Sequence, residues 1–197
     1  MTPTTSDQGR TSPLSVIAGF VALMWLTSIL GFFFPELLSH GALIPRVTDQ
    51  WWGIWTAAFF HANLGHLTAN TAPLLIFLFL LQHRGATHFY LALILCMTAA
   101  GIGLWCLGRN GAHIGASGLV FALFGFFLAN AVLRRGVVDI LIAFGVILAY
   151  WGLVFGLLPN DARISWDGHL LGLIGGVISS WLLSRYDRFA RESVKSD

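Results

Sequence analysis

The sequence predicts an all-α protein that crosses a membrane six times. Three observations predict it. Of 197 residues, 56% are apolar and only 10% are charged, against about 25% charged in soluble domains. Six apolar runs approach the ~20 residues that span a hydrocarbon core. Basic residues also collect on alternate connections between those runs, as the positive-inside tendency requires. The same composition excludes an ordinary soluble domain, a disordered chain and a nucleic-acid binder built on a basic face. A net charge of +2 implies no acidic partner.

The elements follow in order. Residues 1–13 read as a polar N-terminal tail. Residues 14–34 form the first run, without charge. Its length, and Phe32-Phe33-Phe34-Pro35 where a small-x-small cleavage site would stand, favour a retained helix over a signal peptide. Residues 35–60 make a long connection holding Trp51, Trp52 and Trp55, side chains that favour the membrane interface. Residues 64–82 are the second run, interrupted by His66, Asn70 and Pro73. Residues 88–107 are the third. Its Cys96 and Cys106 stand ~15 Å apart along a helix, too far for a disulfide. Residues 117–133 and 137–158 are the fourth and fifth, the latter carrying Asp139, and residues 169–184 are the sixth. One membrane domain, 14–184, is followed by a charged tail, 185–197. Arg10, Arg84, Arg134, Arg135, Arg185, Arg188, Arg191 and Lys195 fall on one side, and Arg46, Arg109 and Arg163 on the other. Both termini are therefore expected in the cytoplasm, with the second, fourth and sixth runs entering from outside.

Polar groups inside spans are costly and mark functional candidates. Three clusters of them open those same three runs: His61, His66 and Asn70; Gly115-Ala116-Ser117-Gly118; Gly168-His169. The orientation rests on Lys and Arg alone, so this convergence at one depth is independent of it. Ser117 is either a helix N-cap or a nucleophile beside the free N–H groups of a helix start. His169 is either its general base or a core histidine bonded to a neighbour. Gly168, Gly172 and Gly176 recur every four residues, and the fourth run has its own stripe at Gly118, Ala122, Gly125 and Ala129. Two such stripes can pack closely and bring hydroxyl and imidazole together. His66 and Asn70 share a helix face. They can donate into an oxyanion hole or staple an adjacent helix. A metal held by His61, His66, His113 and His169 is the weaker alternative, because no His-Glu-x-x-His occurs. No metal or soluble cofactor is expected.

Together, His-Ala-Asn-Leu-Gly-His-Leu-Thr-Ala-Asn at 61–70, Gly-Ala-Ser-Gly at 115–118 and Gly-His-Leu-Leu-Gly-Leu-Ile-Gly-Gly at 168–176 resemble the rhomboid intramembrane serine proteases in their basic six-helix bacterial form. The resemblance runs from Trp51 to the end of the sixth run. It implies a rhomboid-like bundle in a bacterial inner membrane and a serine endopeptidase. Ser117 would be the nucleophile and His169 the general base. His66, Asn70 and the Ser117 N–H would form the oxyanion hole. Gly172 and Gly176 would pack helices near the site, beside Gly115 and Gly118. The implied partners are the lipid bilayer and single-span membrane proteins, cut near the outer face after a small residue and entering sideways near the fifth run. Two positions depart from the common pattern: Trp52-Gly53 stands where the family often has Trp-Arg, and Phe121 where Tyr is common. The rival readings are an inactive rhomboid-like protein that binds membrane helices and a small transporter. The intact Ser117 and His169 oppose the first, and the one-sided polar clusters oppose the second. Asp167 is expected in the solvated outer loop with Asp161 behind it. Two residues from His169, Asp167 does not face the imidazole. A Ser-His dyad is thus expected, its imidazole held by packing, with Phe121 one candidate, and by the close approach of the fourth and sixth runs.

Overall fold

The computed structural model describes residues 12–159 and 165–196. Arg10, Asp161 and Arg163 lie outside the described residues. The helices are α1 (Pro13–Phe33), α2 (Pro35–Gly41), α3 (Gly53–Thr56), α4 (Leu64–Leu81), α5 (Ala86–Leu107), α6 (Ser117–Arg134), α7 (Val137–Tyr150) and α8 (Trp166–Ser196). Among the described residues there is no strand, only an antiparallel bridge between Leu43 and His113.

Local chemistry sets several boundaries. Ser12 caps α1, its hydroxyl accepting the Ser15 N–H at 3.2 Å with Pro13 in the first turn. The Asn63 carboxamide accepts the His66 N–H at 2.9 Å and fixes the start of α4. The fifth apolar run does not stay α-helical over 137–158. α7 stops at Tyr150, and the chain tightens into a 3₁₀ stretch, Trp151–Leu157. Gly152 and Gly156 fall in that stretch and weaken an α-helix there. Five helical segments are long and apolar enough to cross a membrane: Pro13–Phe33, Leu64–Arg84, Ala86–Leu107, Ser117–Arg134 and Val137–Leu157. The sixth apolar run lies within α8, where glycine, serine, Asp167 and His169 dilute its hydropathy and the helix continues through the charged segment to Ser196.

α6 is the central helix. Of its apolar window 56% is buried, against 11–39% in the other four spans. It packs most extensively on α8, and glycines set the separation. A β-carbon on Gly172 would lie 2.4 Å from the Gly118 carbonyl oxygen, one on Gly176 1.8 Å from that of Ala122, and one on Gly125 2.3 Å from that of Leu173. Backbone thus lies on backbone, a spacing only small residues permit.

The connection 34–60 is built of short helical turns pinned to α5. A β-carbon on Gly53 would lie 2.5 Å from the Ala42 carbonyl oxygen, so no longer side chain fits there. A guanidinium of the same connection, that of Arg46 with φ 65°, ties it down. Its Nη1 donates to the carbonyls of Cys106 (3.2 Å) and Gly108 (2.9 Å), and its Nη2 to Asn110 Oδ1 at 2.5 Å, closing the C-terminal end of α5. At the opposite end of the bundle two carboxylates pair across helices: Asp139 with Arg84 and His83, and Asp187 with Arg134 and His88.

Candidate active site

The three polar clusters meet at one end of the bundle. Ser117 is the first residue of α6, and the N-cap position belongs to Ala116. The capping role expected from the Gly-Ala-Ser-Gly pattern is therefore not taken. Ser117 is half-buried, and its Oγ makes no hydrogen bond among the described residues. Nor do the backbone N–H groups of Ser117, Gly118 and Leu119, which point out of the helix start.

The loop ahead of Ser117 is held tightly. The Gly115 N–H donates to the Ala57 carbonyl at 2.9 Å. The Ala116 N–H donates to His61 Nε2 at 3.2 Å, while His61 Nδ1 donates to Ser28 Oγ at 3.0 Å. That pair of bonds fixes a neutral imidazole. Complete burial, with the neighbouring His66 adding to it, pushes the His61 pKa down to about 3. Gly115 has φ 119°, a backbone shape that side chains disfavour. The same glycine makes room for His66, because a β-carbon there would lie 2.6 Å from its Cε1 and 2.7 Å from its Nε2. Asn70, buried one turn further along α4, places its Nδ2 3.8 Å from that point and donates to the His66 carbonyl at 3.0 Å. His66 and Asn70 therefore border the chain two residues before Ser117.

His169 opens the apolar part of α8. Its Nδ1 donates to the Gly156 carbonyl at 2.8 Å. Its ring stacks on Phe121, with centroids 4.2 Å apart and planes within 9°. Phe121 is four residues after Ser117 and shares its helix face, so the imidazole stands on the Ser117 side of α6. No hydrogen bond joins Ser117 Oγ to His169, and His169 Nε2 has no partner among the described residues. Gly156 was missed in the sequence, since a backbone carbonyl in a 3₁₀ stretch has no residue signature. His61 was visible as a buried polar candidate, but its task of pinning Ala116 was not.

Asp167 departs from expectation. It is buried rather than solvated. Its carboxylate accepts the Arg109 N–H at 2.7 Å and Arg109 Nη2 at 3.2 Å, with Ser165 Oγ at 3.4 Å. Burial raises its pKa, but the Arg109 bonds and the charges of His113 and Arg109 outweigh this and hold it below the usual carboxylate range. His113 spends both ring nitrogens on Ser165 (2.7 Å) and Arg109 (2.9 Å). The four histidines therefore do not turn free nitrogens toward one point.

Comparison with known proteins gives the family. The Rhomboid domain model matches residues 48–186, which contain all three clusters. The chain belongs to the rhomboid family. Uncharacterised proteins of Mycobacterium tuberculosis and Mycobacterium bovis are each 36% identical to this rhomboid, over 96% of its chain and 84% of theirs. YdcA of Bacillus subtilis, whose name marks it as a proposed rhomboid protease, is 26% identical over 86% of this chain and 87% of its own. Rhomboid-like protein 11 of Arabidopsis thaliana chloroplasts is 29% identical over 69% of this chain and 54% of its own. Rhomboids are mostly serine proteases that work within membranes, and some members are inactive. With its apolar helices, this rhomboid is an integral membrane protein.

Proposed function

We propose that this rhomboid is an active intramembrane serine endopeptidase that uses Ser117 and His169 as a dyad. The observation that carries the reading is the tethering of His169. With Nδ1–H committed to the Gly156 carbonyl, the basic lone pair falls on Nε2, on the face of α6 that carries Ser117. Hydrogen bonds between nucleophile and base are often absent without substrate and form in the Michaelis complex.

In this reading Ser117 Oγ attacks the scissile carbonyl carbon and passes its proton to His169 Nε2. The tetrahedral oxyanion is received by the Ser117 N–H, His66 and Asn70. Collapse breaks the C–N bond, and His169 gives its proton to the leaving amine. Water, activated by His169, then hydrolyses the acyl-enzyme. Gly115 serves by having no side chain, which leaves His66 and Asn70 beside the reacting group. The substrates are single-span membrane proteins. Sideways entry near α7 is supported by the sparse burial of that helix. We place both termini in the cytoplasm of a bacterial inner membrane, with the Ser117 end outward, on the eight-to-three division of basic residues.

The test is cleavage of a single-span substrate by purified protein, with parallel labelling by a fluorophosphonate probe. Wild type should cleave and label, whereas Ser117→Ala should do neither and His169→Ala should not cleave. A folded wild type that does neither is the inactive, helix-binding relative. Reporter fusions at residue 197 and beside Arg109 test the orientation: the first should read cytoplasmic and the second external.

A further inference from the structure

We propose that the α6–α8 face at the end of the bundle away from Ser117 binds an anionic phospholipid, with an acyl chain in a groove and the phosphate between Arg135 and Arg185. The groove holds about 480 Å³ between the two helices, and its lining is wholly apolar, with Leu128, Val132, Val177, Ile178 and Trp181 prominent. In a bilayer any acyl chain can fill such a strip, so headgroup selectivity has to come from its mouth.

Two guanidinium groups stand there. Arg135 ends α6 in the left-handed region, with φ 56°, and its Nε donates to the carbonyl of groove-lining Val132 at 3.4 Å. Arg185 follows Trp181 by one turn, its guanidinium carbon 5.3 Å from the centre of that ring. Both side chains are exposed, and neither makes an ion pair among the described residues. The nearby acids are already paired, Asp187 with Arg134 and His88, and Asp139 with Arg84 and His83. Two free guanidinium groups at the end of a dry groove match a phosphodiester attached to acyl chains. A second copy of the chain is disfavoured, because packing there would bury those charges without counter-ions. The proposal does not depend on the catalytic reading.

The experiment uses full-length protein in phosphatidylcholine nanodiscs doped with brominated phosphatidylglycerol or, separately, brominated phosphatidylcholine. Tryptophan quenching is read for wild type and Trp181→Phe, and the difference isolates Trp181. Quenching of Trp181 should reach half-maximum at roughly tenfold lower content of the anionic lipid than of the zwitterionic one. The preference should vanish in Arg135→Gln/Arg185→Gln. Val132→Glu, which puts an acid at the mouth without touching helix packing, is a second route to the same loss should the double variant not fold. Added inorganic phosphate should leave the preference intact. Equal quenching by the two lipids overturns the proposal, as does a preference that survives both variants or one abolished by free phosphate. Disulfide-linked dimers of Val132→Cys in a Cys106→Ser background would place a second copy on this face and overturn it too.

Discussion

The imidazole of His169 lies flat on the ring of Phe121, 4.2 Å between centroids and 9° between planes, while its Nδ1 is tied to the Gly156 carbonyl. Gly156 abuts the edges of both rings: a β-carbon there would lie 3.0 Å from Phe121 Cζ and 3.1 Å from His169 Nδ1. A stack and one backbone acceptor orient the ring, a task that soluble Ser-His enzymes commonly give to an acid.

Phe121→Leu should therefore lower kcat by roughly 2- to 10-fold, the equivalent of an aromatic contact worth about 0.5–1.5 kcal/mol. KM should change little, because Phe121 is buried under the imidazole. Phe121→Tyr should keep most of the rate. Initial cleavage rates over a range of substrate content measure both parameters. A change in KM alone would remove Phe121 from the positioning of His169.

A second prediction concerns acid. His61 is neutral when folded, with its pKa pushed down to about 3, whereas in the unfolded chain it protonates below ~6.5. The unfolded state thus binds more protons, so stability falls as the pH drops from ~6.5 toward that folded value. Asp187 acts lower on the scale. Burial raises its pKa, but the hydrogen bonds and charges of Arg134 and His88 bring it below the usual range. Its contribution is complete above ~3.9 and is lost as pH falls through the folded value. His61→Gln should lower Tm at pH 7.5 and flatten the decline between pH ~6.5 and ~4. An unchanged slope in thermal melts would show that His61 does not set this limb.

The third prediction compares glycines. Gly176→Ala drives a β-carbon to 1.8 Å from the Ala122 carbonyl oxygen, and Gly172→Ala to 2.4 Å from that of Gly118. Both should part α6 from α8 and cost at least ~1–3 kcal/mol, Gly176→Ala the more. Cleavage should fall with them, since the same contact sets His169 against α6. Gly145→Ala, with nothing within 4 Å, should be neutral or stabilise by up to ~1 kcal/mol. Thermal melts and rates on the three variants decide it. Equal behaviour of Gly145 and Gly176 variants would contradict the close packing.

How much of this was legible in the sequence depends on what carried each feature. The helices were readable because a run of ~20 apolar residues has few other uses. The α6–α8 contact was readable because a small-residue stripe survives as a four-residue period. The end of α7 was not, since two glycines in an apolar run do not say where an α-helix gives way to a 3₁₀ turn. The burial of Asp167 was hidden because its partner, Arg109, is 58 residues away in another loop. Ser117 looked like a cap, and only the path of Gly115 and Ala116 shows that the helix begins on it. Gly53 looked like a lost anchor, yet the connection that holds it is tied to the end of α5 by Arg46, through bonds to residues about 60 positions away.

The last prediction separates a dyad from a triad. Asp167 is the acid nearest to His169 in the chain, yet its bonds run to Arg109 and Ser165. The proton of His169 Nδ1 is already accepted by the Gly156 carbonyl. Asp167→Asn keeps an oxygen for the Arg109 N–H and loses the charge pair with the guanidinium, together with the second oxygen that accepts from Arg109 Nη2 and Ser165 Oγ. That variant should show a lower Tm, with the deficit shrinking in high salt as the lost pair is screened. Its kcat should stay within a few-fold of wild type, whereas the same change in a Ser-His-Asp enzyme costs about 10⁴. Asp167→Ala removes the acceptor as well and should destabilise further, because the Arg109 N–H is left without its partner. Rates measured well below each variant's Tm keep stability and chemistry apart. A loss of thousands-fold in Asp167→Asn with an unchanged Tm would make Asp167 the third member and refute the dyad.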